Sequence, residues 1–145
     1  MAGERSGLYR EAILEHARHP KNQGRLEAPH LSAAASNPLC GDELELTMHL
    51  VDGEIAAVNL MVRGCTIVHA AASMMSEAVS GISLDRARAL GTAFRAAMEH
   101  RRAELPPGLE GLEPLTAVHQ HRSRIRCALL PWDALESCGR QPPSA

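Results

Sequence analysis

The clearest alternation of hydrophobic and polar positions in this chain runs over residues 44–50. Successive side chains of a β-strand point to opposite faces, so the pattern predicts a strand with one buried face. Asp52 and Gly53 follow directly and are typical of a two-residue hairpin turn. The return strand, residues 55–62, is apolar on both faces except at Asn59. This predicts that it lies centrally in the sheet or is covered on both sides.

Before the hairpin, a first helix is predicted over residues 8–17, where apolar side chains recur at helical spacing. Ser6 is placed to cap this helix, and Pro20 to end it. Asn22 and Gly24 indicate a turn, and residues 30–38 are interpreted as a short extended segment.

After the hairpin, the pattern becomes helical. Residues 67–79 are rich in alanine and methionine, and Gly81 is predicted to stop that helix. Ser83 is predicted to cap a second helix, and a short third helix is expected near residues 112–121. Cys127 is predicted to lie just before or within the first turn of the final helix. Its Pro131 would then fall in the early turns, where a missing N–H costs least.

The order of helix, hairpin and further helices predicts an α+β fold. A small antiparallel sheet of about three strands would carry helices packed on one face. At 145 residues the chain is most simply one domain, residues 1–145, large enough to bury a core without a metal or disulfide. Residues 1–6 and 139–145 are predicted to be flexible tails.

Composition narrows the classes of partner. The net charge of −2 argues against nucleic acid or an anionic membrane as an obligate partner. One Trp, one Tyr and one Phe are too few for base-stacking platforms. No apolar run approaches the roughly 18 residues of a membrane span. The charged N-terminal segment lacks the apolar core of a secretory signal, so a cytoplasmic location with reduced thiols is expected.

Three of the four cysteines, Cys40, Cys65 and Cys127, are predicted to lie at boundaries between elements. Loops converge at such boundaries, and helix N-termini favour thiolates. Asp42 stands two positions after Cys40, and residues i and i+2 of an extended segment point to the same side. Three thiolates and one carboxylate would suit tetrahedral zinc. Spacing alone leaves open that these are unrelated free cysteines, because there is no CxxC pair.

Four segments together resemble the SufU family, within the wider group of IscU-like iron–sulfur assembly proteins. The matching stretches are LYREAILEHARHPKNQG, SNPLCGDELELT, RGCTIVHAAASMMSEAVSG and RIRCALLPWDAL. They cover most of the chain and occur in the family's order. The resemblance adds to the cysteine pattern what spacing cannot supply.

The resemblance implies a zinc site made by Cys40, Asp42, Cys65 and Cys127. It further implies a zinc-dependent sulfurtransferase, or sulfur carrier, that accepts persulfide sulfur on Cys40 from a PLP-dependent cysteine desulfurase of the SufS type. In the family, a partner histidine is thought to displace this thiol from zinc. The sulfur would then pass toward a SufB-type assembly scaffold.

The alternative function is that of an IscU-like scaffold on which a [2Fe–2S] cluster is assembled by the same thiols. IscU proteins place a histidine directly before the last cysteine, whereas this chain has Arg126, which favours the sulfur acceptor. Arg126 is a candidate to support the neighbouring thiolate through its charge. A purely structural zinc is a third possibility.

Three further residues stay without an assigned role. His119 and His121 lie where the family shows an aromatic-proline stretch, so they are alternative candidates for the fourth metal ligand. Cys138 matches no family motif and is interpreted as incidental.

Overall fold

The computed structural model describes residues 2–138, with side chains from residue 7 onward. Four α-helices, three strands and one 3₁₀ helix make up this part of the chain. In order they are α1 (Ala2–Arg18), β1 (Leu31–Asn37), β2 (Asp42–Val51), β3 (Glu54–Arg63), α2 (Thr66–Val79), α3 (Leu84–Glu99), the 3₁₀ helix (Glu110–Val118) and α4 (Arg122–Ser137).

The strands form one antiparallel sheet in the order β1-β2-β3, so β2 is central. Its inward residues Leu44, Leu46 and Met48 are buried, as the alternation predicts. Asp52 and Gly53 connect β2 to β3 with φ values of 52° and 80°. Positive φ at both positions matches the twist of the paired strands, so the predicted hairpin is confirmed.

The predicted position of β3 is wrong, because β3 is an edge strand with one buried face. Ala56 is exposed and Met61 is 52% exposed on its outer side. The second face of β3 looks apolar in the sequence because it carries alanines. Their side chains are small enough to stay exposed without a layer packed over them. The outer edge of β3 is closed locally by the turn after α1, where Gly24 N–H donates to Leu60 O at 2.9 Å and Leu60 N–H donates to Asn22 O at 2.9 Å.

The helices pack on one face of the sheet, with α2 against β3 and α4 against β1 and β2. The other helices pack on this pair: α1 and the 3₁₀ helix on α2, and α3 on α4. Among the largest fully buried side chains are Leu46, Met48, Met75, Phe94 and Leu135. The predicted α+β class is therefore confirmed, and the core lies between the sheet and α2 with α4.

Two predicted helix starts are corrected. Helix α1 begins at Ala2, so Ser6 lies inside it and does not cap it. Helix α4 begins at Arg122, which places Cys127 in its second turn and Pro131 in its interior. The polar residues before Cys127 hid this start, because they lack apolar periodicity and the N-cap His121 makes no side-chain capping bond. The Ser83 cap is confirmed, since its hydroxyl accepts from Arg86 N–H at 3.1 Å.

Residues 139–145 lie outside the described part of the chain, and the predicted flexibility of both ends stays a prediction. Within residues 2–138, none of the helices combines the length and the apolar character that a membrane crossing requires.

Candidate metal centre

Cys40 lies on the four-residue loop that joins β1 to β2, and its side chain is exposed. The loop is tight, because Cys40 N–H donates to Asn37 O at 3.1 Å. Gly41 follows with φ +71°, a left-handed conformation that L side chains rarely adopt. The glycine reverses the chain at this point, so that Cys40 and Asp42 approach the same place from loop and strand.

Asp42 is the first residue of β2 and is only 1% exposed. Its Oδ1 accepts from the backbone N–H of Cys65 at 3.0 Å. Its Oδ2 accepts from the thiol of Cys127 at 3.1 Å and lies 4.0 Å from the Cys65 sulfur. A single buried carboxylate therefore connects Cys65 and Cys127, which lie 23 and 85 positions from it in sequence.

Gly64 makes room for this carboxylate. A Cβ atom at that position would lie 2.5 Å from Asp42 Oδ1 and 3.0 Å from its Cγ. Such contacts do not occur between real atoms, so any larger residue would displace Asp42. The sequence pattern does not identify this role for Gly64; its position directly before Cys65 is the available signal.

Cys65 is the N-cap of α2, and its side chain is exposed. It makes no side-chain capping bond, so its sulfur is not engaged by the first turn of the helix. The helix dipole places partial positive charge at this end of α2. Cys65 therefore lies at a boundary between elements, as predicted.

Cys127 is buried in α4 and does not lie at a boundary, contrary to the prediction. Burial, with hydrogen bonding to Asp42 and to Cys65, raises the pKa of this thiol far above its usual range. The thiol is therefore protonated when only protein groups surround it. A divalent cation would reverse this preference, because metal binding deprotonates a coordinating thiol outright.

Ligand atoms of Cys40, Asp42 and Cys127 all lie within 4.8 Å of one another. Two sulfurs on one zinc ion, each with a Zn–S bond of about 2.3 Å in tetrahedral geometry, are separated by roughly 3.8 Å. The group is therefore compact enough for a small cation. Cys65 borders it through Asp42 but is not one of the three mutually close residues. The donor types, thiols with one carboxylate, fit zinc.

Neither of the two candidate histidines joins this group. His121 is exposed at the N-terminus of α4. His119 is partly buried, its Nε2 has no hydrogen-bond partner, and burial together with the nearby Arg101 charge lowers its pKa. His119 therefore lies within range of the Arg101 charge and outside the group of thiols.

Arg126 is exposed, while its neighbour Cys127 points into the core. Its predicted support for a thiolate stays a prediction.

Cys138 is fully buried at the opposite end of α4, eleven residues or about 16 Å of helix from Cys127. Its carbonyl accepts from Arg88, and burial raises its pKa to about 11 against the opposing Arg88 charge. Cys138 is thus separate from the candidate metal centre.

Comparison with known proteins gives the same family from sequence and from structure. Residues 8–107 match the NifU-like N terminal domain. This match includes Cys40, Asp42 and Cys65 and ends before Cys127. The chain is 36% identical over 130 residues to the zinc-dependent sulfurtransferase SufU of Bacillus subtilis, covering 89% of this chain and 87% of that protein.

A second relative is the iron–sulfur cluster assembly scaffold protein IscU of Streptococcus pyogenes, 30% identical over 138 residues and covering 95% of this chain and 86% of that protein. The crystal structure of the N-terminal part of a NifU-like protein from Brucella abortus superposes with a TM-score of 0.80. It is 26% identical and covers 90% of each chain. The chain therefore belongs to the family of NifU-like N-terminal domains, within the group of SufU and IscU proteins of iron–sulfur cluster assembly.

Proposed function

We propose that this protein is a zinc-bound sulfur acceptor that takes persulfide sulfur from a PLP-dependent cysteine desulfurase of the SufS type. The observation behind the proposal is an exposed thiol, Cys40, beside the buried Asp42 and Cys127 in one compact group. The similarity to a SufU protein supports the same function. The sulfur would continue toward a SufB-type scaffold in the cytoplasm.

Cys40, Asp42, Cys65 and Cys127 would hold the zinc. Zinc, when bound, keeps the coordinating thiols deprotonated at neutral pH. Cys127 and Asp42 are fixed in the core, whereas Cys40 is on a loop that a partner can reach. The arrangement suits a site in which one ligand reacts while the others keep their positions.

The transfer step is a thiol exchange. The Cys40 thiolate attacks the outer sulfur of the desulfurase persulfide, and the bond between the two sulfurs of the desulfurase breaks. The desulfurase cysteine leaves as a thiolate, and Cys40 now carries the outer sulfur as a persulfide. No external oxidant or reductant is needed, because one S–S bond replaces another.

The test measures alanine production by the desulfurase with wild type, Cys40→Ala and Cys138→Ala. We expect stimulation by wild type and by Cys138→Ala, whose thiol is buried and far from the centre. We expect Cys40→Ala to lose stimulation, because no sulfur acceptor remains. Equal stimulation by Cys40→Ala and wild type would refute the acceptor role.

The alternative is a scaffold for a [2Fe–2S] cluster, which the similarity to an IscU protein over 95% of this chain supports. The same thiols would ligate the cluster irons. Anaerobic reconstitution, visible spectroscopy and transfer to an apo-ferredoxin distinguish the two functions. A stable and transferable cluster would favour the scaffold over the sulfur acceptor.

A further inference from the structure

A cleft of about 810 Å³ opens beside Cys40, between the loop that bears it, the end of α3 and the start of α4. We call it the basic cleft, because arginines contribute a large share of its lining. The residues that matter below are Asn37, Cys40, Arg95, Arg101, Arg122 and Arg126. The sequence interpretation identified only Cys40 and Arg126 among them.

Three of these arginines are not neutralised by the protein. Arg95 is paired with Asp133 and lies 3.7 Å from Glu99, the one acidic residue of the lining among the described residues. Arg101, Arg122 and Arg126 have no carboxylate partner within the described part of the chain. The cleft therefore retains a local positive charge in a chain with a net charge of −2. Clefts lined by one sign of charge concentrate ligands of the opposite sign.

Arg101 occupies a backbone position that favours glycine. It follows α3 with φ +52°, and its N–H donates to Met98 O at 3.2 Å while Arg102 N–H donates to Ala97 O at 2.9 Å. These two bonds define a Schellman ending, in which this residue is usually glycine. An arginine here adopts an unfavourable conformation. Such outliers cluster at functional sites, which points to a use for the side chain.

Asn37 gives an independent indication. It is more than nine-tenths buried, it lines the basic cleft, and its Nδ2 has no hydrogen-bond partner. Buried amide donors without a partner are rare in folded proteins. An acceptor oxygen brought by a ligand would satisfy this donor.

We propose that the basic cleft binds a small thiol that bears carboxylates, and that this thiol removes the sulfur from Cys40. The guanidinium groups and the Asn37 amide would bind the carboxylates. The inference rests on the proposed function, which places a transferable sulfur on Cys40. The volume falls within the roughly 300–1,000 Å³ of small-molecule sites, which favours a small ligand over an acidic protein segment.

The reaction again exchanges one S–S bond for another. The thiolate of the bound ligand attacks the outer sulfur of the Cys40 persulfide, and the bond from that sulfur to Cys40 Sγ breaks. Cys40 returns to the thiolate, and the ligand leaves as a persulfide. The electrons balance within the two reactants.

The first experiment measures binding of S-methylglutathione to the zinc-loaded protein by calorimetry at low salt. This probe has the carboxylates but no free thiol, so it cannot ligate the metal through sulfur. We expect Arg101→Gln to weaken binding about tenfold, the effect of one charge-assisted hydrogen bond. Arg101→Lys should retain most of the affinity, and Arg86→Gln, an exposed arginine at the other end of α3, should change nothing.

Arg101→Gly separates binding from stability. Glycine relieves the left-handed backbone, so we expect a higher melting temperature together with the same loss of binding. A merely structural arginine would not produce opposite changes in the two measurements. Absence of binding to wild type would overturn the proposal, and so would equal loss with Arg86→Gln. If the Arg101 variants instead weaken only docking of the desulfurase, the cleft binds an acidic protein surface and the small-thiol proposal is wrong.

The second experiment loads Cys40 with sulfur from the desulfurase and follows its release to glutathione or to 2-mercaptoethanol. We expect saturable release to glutathione that Arg101→Gln weakens about tenfold. Release to uncharged 2-mercaptoethanol should be the same in both proteins. Release independent of Arg101 would overturn the transfer step. If Cys40 is never loaded while S-methylglutathione still binds, the proposed function fails and the transfer step with it.

Discussion

Cys40 and Cys127 belong to the same candidate metal centre but lie in opposite surroundings. Cys40 is exposed on a four-residue loop. Cys127 lies in a helix, is 3% exposed, and donates a hydrogen bond to the buried Asp42 carboxylate. The protein thus fixes one side of the site in its core and leaves the other side to solvent. Under the proposed function, the buried side would hold the metal and the exposed side would react with partners.

Zinc affinity gives the strongest test of this comparison. In Cys40→Ala, water can replace the exposed ligand, as in zinc sites with three protein ligands. In Cys127→Ala, water has no comparable access to the buried position. We expect Cys127→Ala to bind zinc at least about 100-fold more weakly than Cys40→Ala. Loss of a residue that only hydrogen-bonds to a metal ligand can already lower metal affinity by about 100-fold, and here a ligand itself is lost. Competition with a chromophoric chelator measures both, and equal affinities would contradict the division.

Metal removal from wild type tests whether the buried side depends on zinc for its structure. The core between sheet and helices contains many fully buried side chains remote from the thiols. We therefore expect the chelated protein to keep its far-UV circular dichroism and cooperative unfolding. A ligand present at 100 times its Kd contributes about 2.7 kcal/mol, so the melting temperature should fall. Unfolding on chelation would support a structural zinc instead.

Gly64→Ala tests how tightly the buried side is packed. The new methyl group collides with Asp42, so we expect a loss of about 1–3 kcal/mol in the free energy of unfolding and weaker zinc binding. Gly111→Ala is the matched control, since a Cβ there has no neighbour within 4 Å. Denaturant melts compare the two. If both variants unfold like wild type, Asp42 is not held as the structure shows.

The smallest expected effect concerns Cys138, a buried thiol that lies outside the candidate metal centre. Burial raises its pKa from 9.0 to about 11, so its contribution to stability is complete below pH 9 and is lost as the pH rises through 11. We expect wild type to lose about 1.4 kcal/mol more than Cys138→Ala between pH 7 and pH 10. Denaturant melts at the two pH values measure the difference. Parallel losses would show that this thiol titrates normally.

The alternation at Leu44, Leu46 and Met48 and the Asp52-Gly53 turn were sufficient to predict β2 and its hairpin. Both depend on local rules, namely period-two burial and turn conformation. The start of α4 could not be predicted in the same way. Its first three residues, 122–124, are polar and exposed, and its N-cap His121 makes no side-chain capping bond.

Prediction of the candidate metal centre from the sequence meets the same limit, because local rules do not describe contacts between distant residues. Sequence spacing pairs Cys40 with Asp42 as positions i and i+2 of an extended segment, whereas the structure brings them together through the left-handed turn at Gly41. The hydrogen bond that the Cys127 thiol donates to Asp42 joins residues 85 positions apart. It depends on Gly64, which leaves space for the carboxylate. Arg101 was missed because its left-handed backbone has no signal in the sequence.

Pro131 gives the buried side a further property. It lies four residues after Cys127 inside α4 and supplies no N–H to the Cys127 carbonyl. The helix therefore lacks one backbone hydrogen bond at the turn that bears the Cys127 thiol, and helices bend most readily at such points. Ile125 and Leu129 before this point and Trp132 after it are all buried, so packing keeps the turn in place despite the missing bond. The position of Cys127 therefore depends on the packing of the core and on its hydrogen bond to Asp42 more than on the helix that carries it.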